Sequence, residues 1–202
     1  MATLVLSLLT AAESKYEEPD APILKIDPKY SPVTASITAL GLYDVERRTG
    51  AVYQVGDENK EFTDGDWFYK TRTEKELLED FWEGATSYDT FVTYNGRSFG
   101  LPFLLHRSVL HEVIPSTDIA RQRYLTKQAL PYHVDLLDEL TLYGGMSKVK
   151  LTQFCDLYNI PWPKVGKGKF ATVTNETIAI TALYEKWRTY LAPRSFLNKL
   201  EF

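Results

Sequence analysis

The sequence contains a single cysteine, Cys155, so no disulfide bond can form within the chain. This scarcity is typical of proteins from a reducing compartment. The sequence also lacks any apolar run close to the roughly 18 residues that a membrane-spanning helix needs. The apolar segment at residues 1–12 has no basic residues at its start and is short, unlike a secretory signal peptide. We therefore expect a cytoplasmic protein without a membrane segment, in which Cys155 packs in a helix core.

Several common catalytic and ligand-binding signatures are also absent. Neither a G-x-x-x-x-G-K phosphate loop nor a G-x-S-x-G nucleophile motif occurs. Three histidines and one cysteine leave few ligands for a zinc ion. The net charge of −4 does not indicate a protein that binds nucleic acid mainly by electrostatic attraction. An acidic protein can nevertheless carry a locally basic cleft, so nucleic-acid binding stays open.

The sequence does contain short apolar segments that alternate with amphipathic ones. The apolar and alternating segments predict strands at residues 3–9, 36–44, 51–55 and 91–94. Segments with an apolar stripe predict helices at about 73–84, 98–112, 135–143, 148–158 and 175–191. Polar stretches predict loops at 11–33 and 56–66.

Helix boundaries are best defined at Thr73 and Asn175. Thr73 and Glu76 have the spacing of a capping box, in which each side chain accepts a hydrogen bond from the backbone amide of the other residue. Asn175 is the predicted cap of the last helix. No glycine-rich or proline-rich linker divides the 202 residues. The pattern therefore predicts an α/β fold, a mixed β-sheet flanked by helices, as a single domain over residues 1–202.

Five segments together resemble one family. They are T-L-V-L-S-L-L-T (3–10), S-I-T-A-L-G-L-Y-D-V-E-R-R-T-G-A-V-Y (36–53), Y-N-G-R-S-F-G-L-P-F-L-L-H-R-S (94–108), H-V-D-L-L-D-E-L-T-L-Y-G (133–144) and A-L-Y-E-K-W-R-T-Y-L (182–191). In this order they are similar to predicted 3′–5′ exonucleases related to the proofreading domain of B-family DNA polymerases. This resemblance spans residues 3–191 and implies a ribonuclease H-like fold of the DEDD group.

The chemistry of that group needs four carboxylates. Two divalent cations about 4 Å apart hold the scissile phosphate and activate the attacking water, and carboxylates hold the cations. The resemblance places two acids on the first strand, one after an N-G-x-x-F motif, and one on the last helix, four residues after a tyrosine. In this chain, the resemblance places Ser7 and Leu9 at the two acids of the first strand and Gly100 at the acid after the N-G-x-x-F motif. It places Glu176 at the acid of the last helix and Thr172 at the tyrosine.

Only Glu176 is an acid among these five positions. We therefore expect no catalytic residue, no metal site and no cofactor, and hence an inactive exonuclease homologue. The alternative is an active enzyme that binds Mg²⁺ or Mn²⁺ through Glu176 and displaced loop carboxylates. The candidates are Glu13, Glu17, Glu18, Asp20 and Asp89. For these loop acids, solvated charge is the simpler interpretation. The resemblance also places His133 and Asp135, which have the spacing of a metal pair, at a helix entry, where we expect capping or packing.

An inactive homologue would act by binding. Candidates for contact with nucleic acid are the aromatic and polar residues of the middle motif and the lysines of a glycine-interleaved segment: Tyr94, Asn95, Phe99, Phe103, Arg107, Lys164, Lys167 and Lys169. The alternatives are that the aromatic residues form a helix core and that the lysines lie in a solvated loop. We expect a protein partner in a nucleic-acid-processing assembly, single-stranded nucleic acid, or both, with a slight preference for the protein partner.

Overall fold

The computed structural model of the protein describes residues 1–13, 27–119, 122–147, 149–165 and 169–200. These residues form a seven-stranded mixed sheet with helices on both faces. The strands are β1 (Thr3–Ala12), β2 (Ala35–Asp44), β3 (Thr49–Val55), β4 (Glu61–Asp64), β5 (Trp67–Arg72), β6 (Thr90–Thr93) and β7 (Tyr132–Asp135). The helices are α1 (Glu74–Ala85), α2 (Leu101–Leu110), α3 (Leu136–Leu140), α4 (Leu151–Leu157), α5 (Lys169–Tyr190) and α6 (Arg194–Leu200). The predicted α/β fold class is confirmed.

The strand order is β4-β5-β3-β2-β1-β6-β7, which places β1 inside the sheet. Strands β1, β2 and β3 are antiparallel neighbours, whereas β6 runs parallel to β1, and β7 runs parallel to β6. In the β1–β6 register, Val5 lies beside Val92. Strand β6 ends at Thr93, so the chain leaves the sheet close to Ser7. A crevice at the carboxyl end of a strand is where α/β sheets commonly bind ligands.

Side chains of β1 alternate between two cores, as the period of a strand requires. Leu4, Leu6 and Leu8 pack with α1 and α2 on one face of the sheet. Val5 packs on the other face with α3, α4, α5 and α6. Ser7 therefore points toward the face that α5 covers, and it is the polar residue in the middle of the apolar run Leu4–Leu9.

Helix α5 lies unusually close to β2, because Gly41 has no side chain at the contact. A Cβ added to Gly41 would lie 2.2 Å from Thr177 Oγ1 and 2.9 Å from Val173 Cγ2. Thr177 directs its hydroxyl back to the Val173 carbonyl oxygen at 2.7 Å, which satisfies this polar group inside the buried contact. The close approach fixes where Glu176, on the same turn of α5, meets the sheet.

One predicted helix boundary and the predicted burial of Cys155 are confirmed, and a second boundary is wrong. Thr73 and Glu76 form the capping box before α1, and Cys155 is buried in α4. Asn175 does not cap α5, since the helix begins six residues earlier, at Lys169. Its side-chain oxygen instead accepts a hydrogen bond of 2.9 Å from the Val165 amide. A polar residue inside a helix can thus resemble a cap when it binds backbone outside the helix.

The strands at the two sheet edges were not predicted. The predicted loop 56–66 contains β4, whose four residues are all exposed, and β5 follows after a two-residue turn. Exposed edge strands have little hydrophobic alternation, so the sequence pattern does not mark them. Strand β7 ends at Asp135, the first residue of the helix predicted at 135–143, and is followed by the short α3. Within the described ranges, no helix combines the length and apolar character needed to cross a membrane.

Candidate functional site

A cleft of about 330 Å³ opens where β6 ends, between β1, the turn that leads into α2, and α5. The turn, Gly96–Gly100, has π-helical geometry and continues directly into α2. Most of the lining is apolar or glycine. The polar residues that line it are Ser7, Thr93, Tyr94, Asn95, Lys150 and Glu176.

Asp135 fixes the turn at the edge of this cleft. Its two carboxylate oxygens accept hydrogen bonds of 2.9 Å from the backbone amides of Asn95 and Arg97. It also caps α3 by accepting a hydrogen bond from the Leu137 amide at 3.1 Å. These bonds hold Asn95 in the left-handed region, with φ of 59° and ψ of 25°, a conformation that asparagine tolerates better than most residues. The capping role expected for Asp135 is confirmed.

His133 supports the same turn from below. The Arg97 guanidinium lies 3.2 Å from His133 Nδ1, which must accept this bond. Nε2 then carries the proton and donates to Thr93 Oγ1 at 2.8 Å. Burial, together with the nearby Arg97 charge, lowers the pKa of His133 to about 3. A neutral, doubly hydrogen-bonded histidine with this tautomer is a packing residue, as expected, rather than half of a metal pair.

Ser7 and Glu176 meet across the cleft. Ser7 Oγ donates a hydrogen bond of 2.9 Å to Glu176 Oε2, joining the middle of β1 to α5. Burial raises the pKa of the Glu176 carboxyl above its ordinary value, and the bond from Ser7 only partly offsets this effect. One of the two positions assigned to the first strand, Ser7, and the acid position of the last helix, Glu176, are thus neighbours in the structure.

The other assigned positions divide into two groups. Gly100 lines the cleft, and a Cβ added there would meet nothing within 4 Å, so the site has room for a larger side chain. Leu9 instead packs against a small apolar cluster that includes Val173 and Phe170. Thr172 is exposed, one turn before Glu176. The structure therefore brings together Ser7, Gly100 and Glu176 but leaves Leu9 and Thr172 outside the cleft lining.

The donor set at this cleft does not fit two divalent cations. Glu176 is the single acidic residue among those that line it, and the described parts of the chain contain no group of three or more metal-ligating side chains. Magnesium sites need several hard oxygen ligands and compensation of the metal charge. Displaced acids do not fill the gap: Glu13 pairs with Arg107 at 2.8 Å, and Asp89 accepts the Ala2 amide at 2.9 Å. Glu17, Glu18 and Asp20 lie outside the described residues.

Three of the candidates for nucleic-acid contact line the cleft: Tyr94, Asn95 and Phe99. The Tyr94 hydroxyl donates to the Val149 carbonyl oxygen at 2.5 Å, and burial raises the pKa of this phenol above its ordinary value. Phe99 is half-buried, and its ring meets Phe103 edge-to-face with 5.2 Å between centroids. Asn95 and Phe99 thus retain surface toward the cleft, while Tyr94 serves mainly to hold its wall.

Phe103 and Arg107 correct the expectation from the sequence. Phe103 has no exposed surface, because it lies in the core beneath α2, and so it cannot stack on a base. Arg107 is 6% exposed and donates to Glu74 through Nε and a terminal nitrogen, at 2.9 and 2.5 Å. Its remaining terminal nitrogen binds Glu13. A guanidinium engaged in this way has no free face for a phosphate.

Of the three predicted lysines, Lys164 is exposed and does not line the cleft. Lys167 falls outside the described residues, and the backbone of Lys169 begins α5. The basic residue that does line the cleft is Lys150, at the start of α4. Sequence analysis missed it, because a single lysine outside any motif resembles ordinary surface charge.

Comparison with known proteins agrees with this geometry. Residues 35–172 match a family described as a predicted 3′-5′ exonuclease related to the exonuclease domain of PolB. This range contains Gly100 and Thr172 but not Ser7, Leu9 or Glu176, whose assignment therefore rests on the resemblance and on their positions in the structure.

Among solved structures, the chain resembles the family B DNA polymerase from the hyperthermophilic archaeon Pyrobaculum calidifontis, with 14% identity and a TM-score of 0.59. The match covers 93% of this chain and 24% of the polymerase chain, so the protein spans about a quarter of that polymerase. At this identity the similarity shows the fold alone, which is ribonuclease H-like as predicted. No curated protein matches the sequence. Because the family match extends over more than half of its length, the chain belongs to the predicted 3′–5′ exonucleases related to the exonuclease domain of PolB.

Proposed function

We propose that this chain is a catalytically inactive exonuclease homologue that acts by binding, as a subunit of a nucleic-acid-processing assembly. The observation that supports this most directly is the Ser7–Glu176 pair. A serine stands opposite the one carboxylate of the cleft and donates a hydrogen bond to it. Two-metal phosphodiester cleavage needs both cations held at once, and a lone carboxylate hydrogen-bonded to a hydroxyl supplies neither the ligands nor the charge.

A binding role is supported by what the cleft retains. The turn from Asn95 to Gly100 is held by Asp135 and His133, so the cleft keeps a defined shape. Asn95 and Phe99 present a polar and an aromatic group to it. The net charge of −4 and the single lysine among the lining residues favour a protein partner over a purely electrostatic hold on nucleic acid. We place this assembly in the cytoplasm, consistent with the single buried cysteine.

The first test is a combined binding and cleavage assay on end-labelled single-stranded DNA and RNA, with Mn²⁺ or with EDTA, at two salt concentrations. We expect no shortening of the labelled strands under any condition. Shortening from the 3′ end that requires Mn²⁺ and disappears in Glu176→Gln would overturn the proposal and favour an active enzyme with a rearranged site. Salt-sensitive binding without cleavage would identify nucleic acid as the bound partner.

A second test asks whether the cleft is a former metal site. The variant Ser7→Asp/Gly100→Asp/Glu176→Asp introduces two carboxylates at lining positions and shortens a third, and the open space at Gly100 accommodates the change. We expect its melting temperature to rise with millimolar Mn²⁺, whereas that of the natural chain does not change, because only metal binding to the folded state stabilises it.

Adding Leu9→Glu to this variant completes the family's motif but removes a packed apolar side chain. The triple variant is therefore the cleaner probe, and the quadruple variant is its control. If the folded triple and quadruple variants both ignore Mn²⁺, the assignment of these positions to the family's metal motif is wrong.

A further inference from the structure

The two charged residues that line the cleft have opposite signs and differ in burial, since Glu176 is half-buried. Glu176 supplies a carboxylate from α5, and the other charged residue of the lining is Lys150, which is exposed. In an exonuclease, metal cations would lie between such an acid and the substrate phosphate. Without them, an ionised Glu176 repels a phosphate group and attracts a cation.

Glu176 also has unused hydrogen-bonding capacity. A carboxylate offers about four acceptor positions, and from the described part of the chain Glu176 accepts one hydrogen bond, which Ser7 donates to Oε2. Partly buried carboxylates are stabilised when further donors or a positive charge reach them. The free capacity faces the cleft, because Glu176 belongs to its lining.

The walls of the cleft suit a long aliphatic chain with a polar end. Phe99, Leu151 and Ile180 line it from three different segments. Lysine and arginine side chains place their methylene stems along apolar surfaces and keep the charged group at a polar site. The carboxamide of Asn95 makes no hydrogen bond with the helix that follows it, and so it can accept an additional donor.

We infer that this cleft is a receptor for a basic side chain of a protein partner, an arginine or lysine whose cationic nitrogen binds Glu176. Its stem lies against Phe99, Leu151 and Ile180, and its segment passes the half-buried Asn95. The inference rests on the proposed binding function and names the partner's chemistry: a basic segment that complements an acidic protein. It makes the emptied nuclease cleft a site selective for positive charge.

The test uses two capped pentapeptides that differ in one atom group. One is Ala-Ala-Arg-Ala-Ala, and the other has citrulline at the centre, which is nearly the same shape as arginine but uncharged. Binding is followed by amide chemical shifts in NMR spectra of the full chain. We expect the arginine peptide to shift amides of the cleft. The citrulline peptide should bind more weakly by at least about tenfold, because a charge-assisted hydrogen bond is lost.

Two variants of α5 assign the effect to one carboxylate. Glu176→Gln keeps the shape of the side chain and an acceptor for Ser7, and we expect it to abolish the preference for arginine over citrulline. Glu185 lies on the same helix and pairs with Arg188 outside the cleft, so Glu185→Gln should retain the preference. The amide spectrum of each variant verifies that it is folded. An unchanged preference in folded Glu176→Gln would overturn the inference.

Two further arms separate other occupants. Spermidine that binds more tightly than the arginine peptide would assign the cleft to a free polyamine and overturn the assignment to a protein partner. A metal-free single-stranded oligonucleotide that shifts the same amides and displaces the peptide would assign the cleft to nucleic acid. If the arginine peptide fails to bind and no cleavage occurs, this inference falls while the proposed function stands. Mn²⁺-dependent cleavage overturns the proposed function itself.

Discussion

Glu74 and Glu176 are two inward-facing glutamates on opposite faces of the sheet, and their surroundings differ sharply. Glu74 begins α1 and accepts four hydrogen bonds: from the Ile37 amide, twice from Arg107, and from His111, at 2.5–2.9 Å. Among the residues that the structure describes, Glu176 accepts one hydrogen bond, from Ser7. The first carboxylate is saturated with donors and the second is not.

The pKa values of the two groups follow this difference. Burial alone would raise the pKa of Glu74, but the donors Arg107 and His111 outweigh it, and the pKa lies below its ordinary value. For Glu176, burial dominates and the pKa lies above its ordinary value. The comparison teaches that burial by itself does not mark a functional acid. An acid whose acceptors are satisfied supports the fold, while an acid with open acceptors facing a cleft is available to a ligand.

The largest effect on stability is expected when the hydrogen bonds to Glu74 are removed. Arg107→Met removes two of the four hydrogen bonds to Glu74 and the partner of Glu13, and leaves a buried carboxylate without its main compensation. We expect the free energy of unfolding to fall by about 3–5 kcal/mol, as when one member of a buried ion pair is deleted. Urea denaturation followed by circular dichroism measures this loss.

The double variant Glu74→Leu/Arg107→Met is the matched control for that experiment. It removes both charges, so part of the lost stability should return, although the Ile37 amide then loses its acceptor. A loss below about 1 kcal/mol in Arg107→Met would show that the network contributes no more than a surface pair and would weaken the comparison.

Gly41 and Gly100 allow a closely packed contact and the open cleft to be compared by adding one methyl group to each. In Gly41→Ala the new Cβ would lie 2.2 Å from Thr177 Oγ1 and 3.2 Å from the Val173 carbonyl oxygen, so α5 or β2 must shift. We expect a loss of about 1–3 kcal/mol, the usual cost of overpacking. Gly100→Ala meets nothing within 4 Å and has helical backbone angles, so a gain of about 0.5 kcal/mol is expected. Thermal melting of both variants checks the difference, and equal effects would contradict the openness of the cleft.

Strong local patterns made much of the fold predictable. The capping box of Thr73 and Glu76 fixed the start of α1, and the apolar run of β1 identified a buried strand. The exposed β4 and the early start of α5 at Lys169 escaped prediction. In these two places tertiary contacts, rather than periodicity or capping residues, decide the backbone conformation.

The site was predictable only where the resemblance supplied a position. Ser7, Gly100 and Glu176 were named from motif alignment, and the structure places all three around one cleft. Sequence could not show that Phe103 and Arg107 face the core, because an aromatic or basic residue in a motif has the same letter in either role. Nor could it show Lys150 at the cleft, since its position depends on how α4 packs against α5.

The smallest expected effect concerns the unsaturated acid and its dependence on pH. Between the ordinary glutamate pKa of 4.5 and the raised value in the fold, the folded protein holds the Glu176 proton and the unfolded chain does not. The free energy of unfolding therefore falls as the pH rises through that window. Glu176→Gln removes the charge and keeps an acceptor for Ser7. We expect the variant to match the natural chain at pH 4.5 and to be more stable at pH 8, by less than about 1 kcal/mol.

Melting temperatures of the two proteins, measured in parallel from pH 4.5 to 8, isolate this group, because the other titrating residues cancel in the difference. Lys150 is the other charged residue in the cleft lining, and it is common to both proteins. Glu185→Gln, on the same helix and outside the cleft lining, is the matched control for removing a carboxylate from α5. If Glu176→Gln were instead less stable at pH 8, the ionised carboxylate of Glu176 would be stabilised by the protein itself, as that of Glu74 is. The cleft would then have no uncompensated carboxylate for a cation to bind.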